Sequence, residues 1–285
     1  MSSTAFERRP GGRPTAAFPA PQRAAIRFFR WMAQWAAFLF AEIGKRVLFV
    51  RDTLRAFREP STWLPLTIPE MRDIGVDSMP LAGTVAAFIG AVTGYQTVYQ
   101  LFPGVQLSVV GWIVRQTLIL EIVPLLTALA LAGRVGARMT AEIGTMRVTE
   151  QIDALETLAF DPIAYLVLPR VIAGCLMVPL VTILSAAVGI VAGGLMVVAA
   201  TKVTLHDYTT GLRLTFIPFQ VYYAVIKAVL FGTAISLICS YEGYTTEAGA
   251  EGVGRSTARA VVISSVIILL LDALTAVYLA PQLAG

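Results

Sequence analysis

Polar and apolar positions along this chain are sorted into long blocks. No charged side chain occurs between Asp77 and Arg115, and Arg170 is the only one between Asp161 and Lys202. A helix that crosses a bilayer needs about 20 mainly apolar residues, so both gaps are long enough to span. The blocks predict five spanning helices, over about 77–100, 111–133, 162–200, 219–241 and 259–280. The turn at Phe102-Pro103-Gly104 separates the first two. At Asp161-Pro162 the acid can cap a first helical turn and the proline takes a position that needs no donor, so the third span begins there. Pro169 and Pro179 are the places where it is expected to break. The stretches 202–218 and 242–256 are expected to be connections, with Arg255 and Arg259 at the loop before the last span.

Ahead of the spans the pattern differs. Residues 1–22 are rich in Pro, Gly, Ala and Arg without periodicity, which predicts disorder. No compact apolar core follows the first arginines, so no cleavable signal peptide is expected. Over 23–75 the pattern is amphipathic and helical. Arg23, Arg27 and Arg30, then Arg51, Arg55 and Arg58, recur three or four apart, and Phe28, Trp31, Trp35 and Phe38 are interleaved with the first set. A helix with one basic and one aromatic face is suited to the membrane interface.

Composition agrees: 56% of the 285 residues are hydrophobic and only 14% are charged, well outside the usual globular range. The formal net charge of +4 could suggest nucleic acid, but 11 of the 22 Lys and Arg residues fall in the first 58 positions. That clustering reads as a segment facing cytoplasmic lipid, and no nucleic-acid partner is expected. With Arg134, Arg138 and Arg147 after the second span, the positive-inside rule places the N-terminus inside and, after five crossings, the C-terminus outside. Cys175 and Cys239 lie far apart in apolar runs and read as packing residues. His206 is the only histidine, which disfavours a His-based metal site or catalytic triad.

Ionisable residues within spans mark candidate function, because lipid burial costs several kcal/mol. Glu121, Lys227 and Asp272 stand at overlapping depths, so mutual pairing is expected. They could form a structural charge network or a polar cavity for a headgroup. In the first span Phe88, Val92, Tyr95, Val98 and Tyr99 recur at three and four, joined by Gln96, and could line an acyl-chain pocket or be ordinary packing. Gly90-xxx-Gly94 and Gly189-xxx-Gly193 let backbones approach closely, in ordinary helix packing or at a gate or dimer contact. Between spans two and three, Val148, Ile152, Leu155 and Ala159 fall on one helical face and Glu150, Asp153 and Glu156 on another. Such a helix could dock into a soluble partner.

The run AGRVGA from Ala132 through Ala137, followed by TAEIGTMRVTEQIDAL from Thr140 through Leu155, closely resembles the MlaE/YrbE permease family, the membrane subunits of MCE-type lipid ABC transporters. The resemblance extends through Asp161-Pro162, Pro169-Arg170, Ile226-Lys227, Gly243-Tyr244 and Gly254 to Val262, and covers roughly residues 80–280. Where family members often carry an Arg-Glu pair, this chain has Leu120-Glu121. The resemblance implies an all-α, five-span homodimer in the bacterial inner membrane. It also implies a cytoplasmic ATPase docked on a coupling segment of Glu142, Arg147, Glu150, Gln151, Asp153 and Glu156, MCE-domain proteins on the outer side, and phospholipid cargo.

The chain lacks the Gly-x-x-x-x-Gly-Lys-Ser/Thr phosphate loop, so ATP and its magnesium are expected in the partner. The glycines at 249, 252 and 254 read as a flexible loop. Two other readings remain open: a proton-coupled secondary transporter using Glu121 and Asp272, and a structural membrane scaffold.

Overall fold

The computed structural model describes residues 20–247 and 249–279. All regular elements among them are helical. The described residues divide into two compact units between Leu48 and Phe49. Helix α1 (Ala20–Ala56) forms the described part of the first unit and continues into the second. Most of the 1–22 stretch lies outside the described residues, as do the side chains of Arg23, Arg27, Phe28, Trp31, Trp35 and Phe38. The segment read as one interfacial stretch over 23–75 is two helices, α1 and α2 (Pro60–Ile74).

The second unit is a helical bundle with five helical stretches long and apolar enough to cross a membrane. The first joins α2 to α3 (Met79–Tyr99) through a 3₁₀ turn at Val76–Ser78. The second runs from Val109 to Val148 as α4 (Val109–Thr117), α5 (Val123–Leu131) and α6 (Ala137–Val148), with π-helical turns at Leu118–Ile122 and Ala132–Gly136 between them. A short helix α7 (Gln151–Thr157) follows. The third stretch opens with a π turn at Ile163–Val167 and continues as α8 (Leu168–Ala200). Then come α9 (Leu205–Arg213), α10 (Phe219–Tyr244) and α11 (Ala250–Leu279).

Several sequence boundaries are corrected. Asp161 does cap the third stretch: its side chain accepts from the Ile163 N–H at 2.9 Å and its carbonyl from Tyr165 at 3.0 Å. That helix is not broken at either proline. Pro169 falls in the first turn of α8, where no donor is needed, and Pro179 sits within it. The connection 202–218 contains α9, started by a reciprocal capping box in which the side chains of Thr204 and Asp207 each bond the other's backbone N–H. The Thr204 hydroxyl and N–H hold the Asp207 carboxyl below its usual range. The last helix begins at Ala250, so Arg255 and Arg259 lie on a helix and not in a loop. Gly252 and Gly254 are helical too, and only Gly249, at φ +92°, is a turn glycine.

The core forms where small residues let helices meet. Gly90 and Gly94 of α3 lie against Gly189 and Gly193 of α8. A Cβ on Gly90 would overlap the Gly189 carbonyl, and one on Gly94 would sit 2.8 Å from the Gly193 oxygen. The two small-residue pairs therefore pack against each other within one chain. At the far end, Gly111 and Gly211 bring α4 and α9 together.

Candidate functional site

The three intramembrane charges predicted to pair do so. Lys227 on α10 is fully buried. Its Nζ lies 2.6 Å from Glu121 Oε2 and 2.7 Å from Asp272 Oδ1 on α11. The cause of the junction is local. Pro124 has no N–H, so the Leu120 carbonyl loses its α-helical donor. The backbone widens into the π turn at Leu118–Ile122, and Lys227 Nζ donates to that carbonyl at 3.1 Å. Tyr223, one turn before Lys227, donates to Glu121 Oε1 at 3.3 Å. One cation thus ties the second, fourth and fifth stretches together. Two carboxylates share it, and the Glu121 side chain is 46% exposed while the Asp272 side chain is 18% exposed. Glu121 is the more exposed of the two carboxylates.

A second charge cluster, which the sequence reading did not foresee, lies toward α7. Arg170, near the start of α8 and buried, pairs with Glu70 of α2 at 3.1 Å and with Glu142 of α6 at 3.2 Å. Arg138 bridges Glu142 at 2.6 Å and Asp73 at 2.8 Å. Arg134 donates to the Asp77 carbonyl at the α2–α3 junction. The cluster encloses a cavity of about 50 Å³ between Glu70, Asp73, Arg138 and Glu142, polar and roomy enough for water. Glu142, expected in the coupling segment, pairs with Arg138 and Arg170 of its own chain while its side chain remains 39% exposed. The spacing of Arg138 and Glu142, four apart, was the available signal.

The coupling segment is also corrected. The predicted single amphipathic face from Val148 to Ala159 is interrupted: α6 ends at Val148, Glu150 adopts φ 60°, and Ala159 lies beyond α7 at φ 61°. The segment is a corner at the end of the second stretch, with α7 turned against α6. Ile152 is fully buried in a cluster with Phe49, Ile143 and Tyr241, and Leu155 packs against it. Arg147 pairs with Asp153 at 2.6 Å and lies over the Tyr244 ring, whose hydroxyl donates to Glu156 at 3.5 Å. Glu150, Asp153 and Glu156 are exposed. Gln151 is exposed as well and bonds only its neighbour Thr149 among the described residues. Behind the corner, Arg259 pairs with the buried Glu242 at 2.6 Å and Arg255 with Glu247 at 3.1 Å.

The stripe on α3 does not form a pocket within the chain. Phe88, Val92, Gln96 and Tyr99 face away from the bundle, with Phe88 71% exposed. Tyr95 is half-buried and stacks against Tyr99 at 5.1 Å between centroids. Sequence reading also passed over Arg115, taken as the end of a charge-free run. It is buried, and its guanidinium donates to the carbonyls of Leu212, Leu214 and Thr215 at 2.5, 3.1 and 3.3 Å, closing the C-terminal end of α9. Tyr208 of α9 donates to the Ile190 carbonyl at 2.8 Å, and burial pushes its pKa up to about 12.

The family model for the permease MlaE matches residues 67–278. The chain belongs to the MlaE permease family. A probable ABC transporter permease protein of Rickettsia bellii is 38% identical over 81% of this chain and 90% of its own length. A probable ABC transporter permease protein of Synechocystis is 42% identical over 70% of this chain and 75% of its own. The intermembrane phospholipid transport system permease protein MlaE of Haemophilus influenzae is 35% identical, covering 87% of this chain and 95% of its own length. The matched region takes in both charge clusters and the α6–α7 corner. With its five apolar helices, the chain is a multi-pass membrane permease, a transporter component and not an enzyme.

Proposed function

We propose that this chain is the membrane-spanning subunit of an ATP-driven phospholipid transporter of the bacterial inner membrane. Two copies form the pathway, a separate cytoplasmic ATPase binds the α6–α7 corner and supplies ATP and magnesium, and MCE-domain proteins meet the α9 end. The N-terminus then lies in the cytoplasm and the C-terminus outside.

The observation that carries this reading is the construction of the corner. Exposed acidic groups stand on a short helix whose apolar residues are sunk into the bundle, and whose Asp153 is pinned to α6 through Arg147. A push on α7 is passed to α6, which continues through a π turn and α5 to Glu121 and the intramembrane cluster. The phospholipid assignment follows the activity named for the Haemophilus relative. The half-exposed Glu121 and the outward stripe of Phe88, Val92, Gln96 and Tyr99 are proposed to meet the lipid once a second copy closes the pathway.

Reversal of Asp153 would break an intrachain ion pair as well as a partner contact, so Glu150 gives the cleaner test. Its side chain has no partner among the described residues. Glu150→Lys is expected to weaken co-purification with the ATPase at least tenfold and to abolish ATP-dependent phospholipid transfer between vesicles, with the thermal midpoint of the chain unchanged. If the purified chain moved phospholipid along a proton gradient without ATP, the secondary-transporter reading would replace this one.

A further inference from the structure

An apolar slot of about 360 Å³, within the size range of ligand pockets, opens between α1, α8 and α10 on the same end of the bundle as α7. Its floor is the C-terminal part of α1 and the turn after it, through Val50, Leu54 and Phe57. Phe49 meets Tyr241 near the end of α10, and Ala56 meets Ala164 and Leu168 at the start of α8, so this part of α1 crosses the feet of both helices. The walls rise along α8 through Val171 and Cys175, and along α10 through Thr233 and Leu237. The two threonines add no polarity, because Thr53 donates to the Phe49 carbonyl at 2.9 Å and Thr233 to the Val229 carbonyl at 2.8 Å. The slot is a hydrocarbon surface from floor to rim.

Beside the floor, each next in sequence to Val50, Leu54 or Phe57, stand Arg51 and Arg55 on α1 and Arg58 in the turn after it. All three are exposed. Arg51 and Arg55 share Asp52 at 3.0 and 3.8 Å. Arg58 has no ion-pair partner among the described residues. Three cations against two carboxylates, Asp52 and the exposed Glu59 beside Arg58, leave a net positive charge at the foot of an apolar slot. That combination matches an anionic lipid: phosphate at the arginines and an acyl chain up the slot.

We infer that this slot is a resident phospholipid site. It holds one acyl chain of a cytoplasmic-leaflet lipid, is selective for an anionic headgroup through Arg58, and is separate from the Glu121–Lys227–Asp272 cluster. The leaflet rests on the orientation proposed above, but the site itself requires a membrane and no transport activity, so it is tested apart from that function.

The test uses the full chain in phosphatidylcholine nanodiscs containing a trace of phosphatidylglycerol with a photoactivatable diazirine on its acyl chain. Adducts are mapped by mass spectrometry. They are expected to concentrate on residues 50–57, 171–176 and 233–237. Unlabelled phosphatidylglycerol should compete for them better than unlabelled phosphatidylcholine. Cys175→Trp or Leu237→Trp, each filling the slot from a different wall, should remove most of the adducts. Arg58→Gln should weaken phosphatidylglycerol labelling about fivefold, the effect of one basic residue at an anionic surface. The competition measurement on the unaltered chain decides the matter even where a tryptophan variant fails to fold. Labelling as strong on the outward face of α3 and indifferent to competitor would mean ordinary solvating lipid, and would overturn the site. An unlabelled slot, with Cys175 instead cross-linking to its counterpart in a second copy, would make it a protein interface and overturn it equally.

Discussion

Lys227 is the residue on which the intramembrane cluster depends. Its amine is the single cation among two carboxylates and a backbone carbonyl released by Pro124. Removing one partner of a buried ion pair typically costs about 3–5 kcal/mol, because the remaining charge is left without compensation. Lys227→Met leaves two carboxylates facing each other and should therefore be the most damaging single change in the cluster. Asp272→Asn should cost less, and Glu121→Gln least, since the Glu121 side chain is 46% exposed and already partly solvated. Denaturation midpoints of the purified variants check this order. Equal losses at all three positions would show that burial does not set the energetics. If Glu121 meets the lipid as proposed, Glu121→Gln should separate the two properties, retaining stability while slowing ATP-dependent lipid transfer.

At the scale of elements, the α3–α8 crossing is the contact most dependent on an absent side chain. Gly90→Ala would drive a methyl into the Gly189 carbonyl, backbone against backbone, and must push the helices apart. Gly83, two turns earlier on the same helix, has nothing within 4 Å of its would-be Cβ, so Gly83→Ala should gain up to about 1 kcal/mol from helix propensity. Opposite signs from the same chemical change on one helix are the expected outcome, read from thermal midpoints. The capacity for close approach was legible in the sequence because small residues stand four apart in two apolar runs, but that the two pairs meet each other was not. The spans were legible for a similar reason: lipid tolerates few charges, so charge-free length is informative. What escaped was polar structure near the helix ends. Arg115 reads as the end of a charge-free run and Arg170 as the lone charge inside one, yet each is buried because its partners come from distant segments: the α9 carbonyls for one, Glu70 and Glu142 for the other. Helix α9 escaped because its apolar content is low, although Thr204 and Asp207, three apart, carried its starting signal. The α6–α7 corner escaped because helical periodicity continues across Thr149 and Glu150 while the backbone does not.

For the molecule as a whole, the outward face of α3 poses a question of solvent. Phe88, Val92 and Tyr99 could be bathed in acyl chains without cost, but Gln96 shares that face, and its side-chain amide has no hydrogen-bond partner among the described residues. An unsatisfied polar group in the hydrocarbon region is costly, whereas polar side chains between membrane helices contribute about 0.6–2 kcal/mol. Both facts favour a second copy of the chain, or a water-lined pathway between two copies, against this face. Gln96→Leu discriminates by the sign of its effect. Against lipid it removes a desolvated amide and should stabilise the chain. Against a second copy it removes an interhelical contact and should weaken the dimer while leaving the monomer fold intact. We expect the dimer to weaken, measured by its dissociation in detergent titrations. Val92→Cys, one turn before Gln96, is expected to form a disulfide-linked dimer under mild oxidation. Modification of that cysteine by a lipid-phase maleimide in place of cross-linking, together with a Gln96→Leu chain of raised stability, would show that the α3 face meets lipid and is not where two copies join.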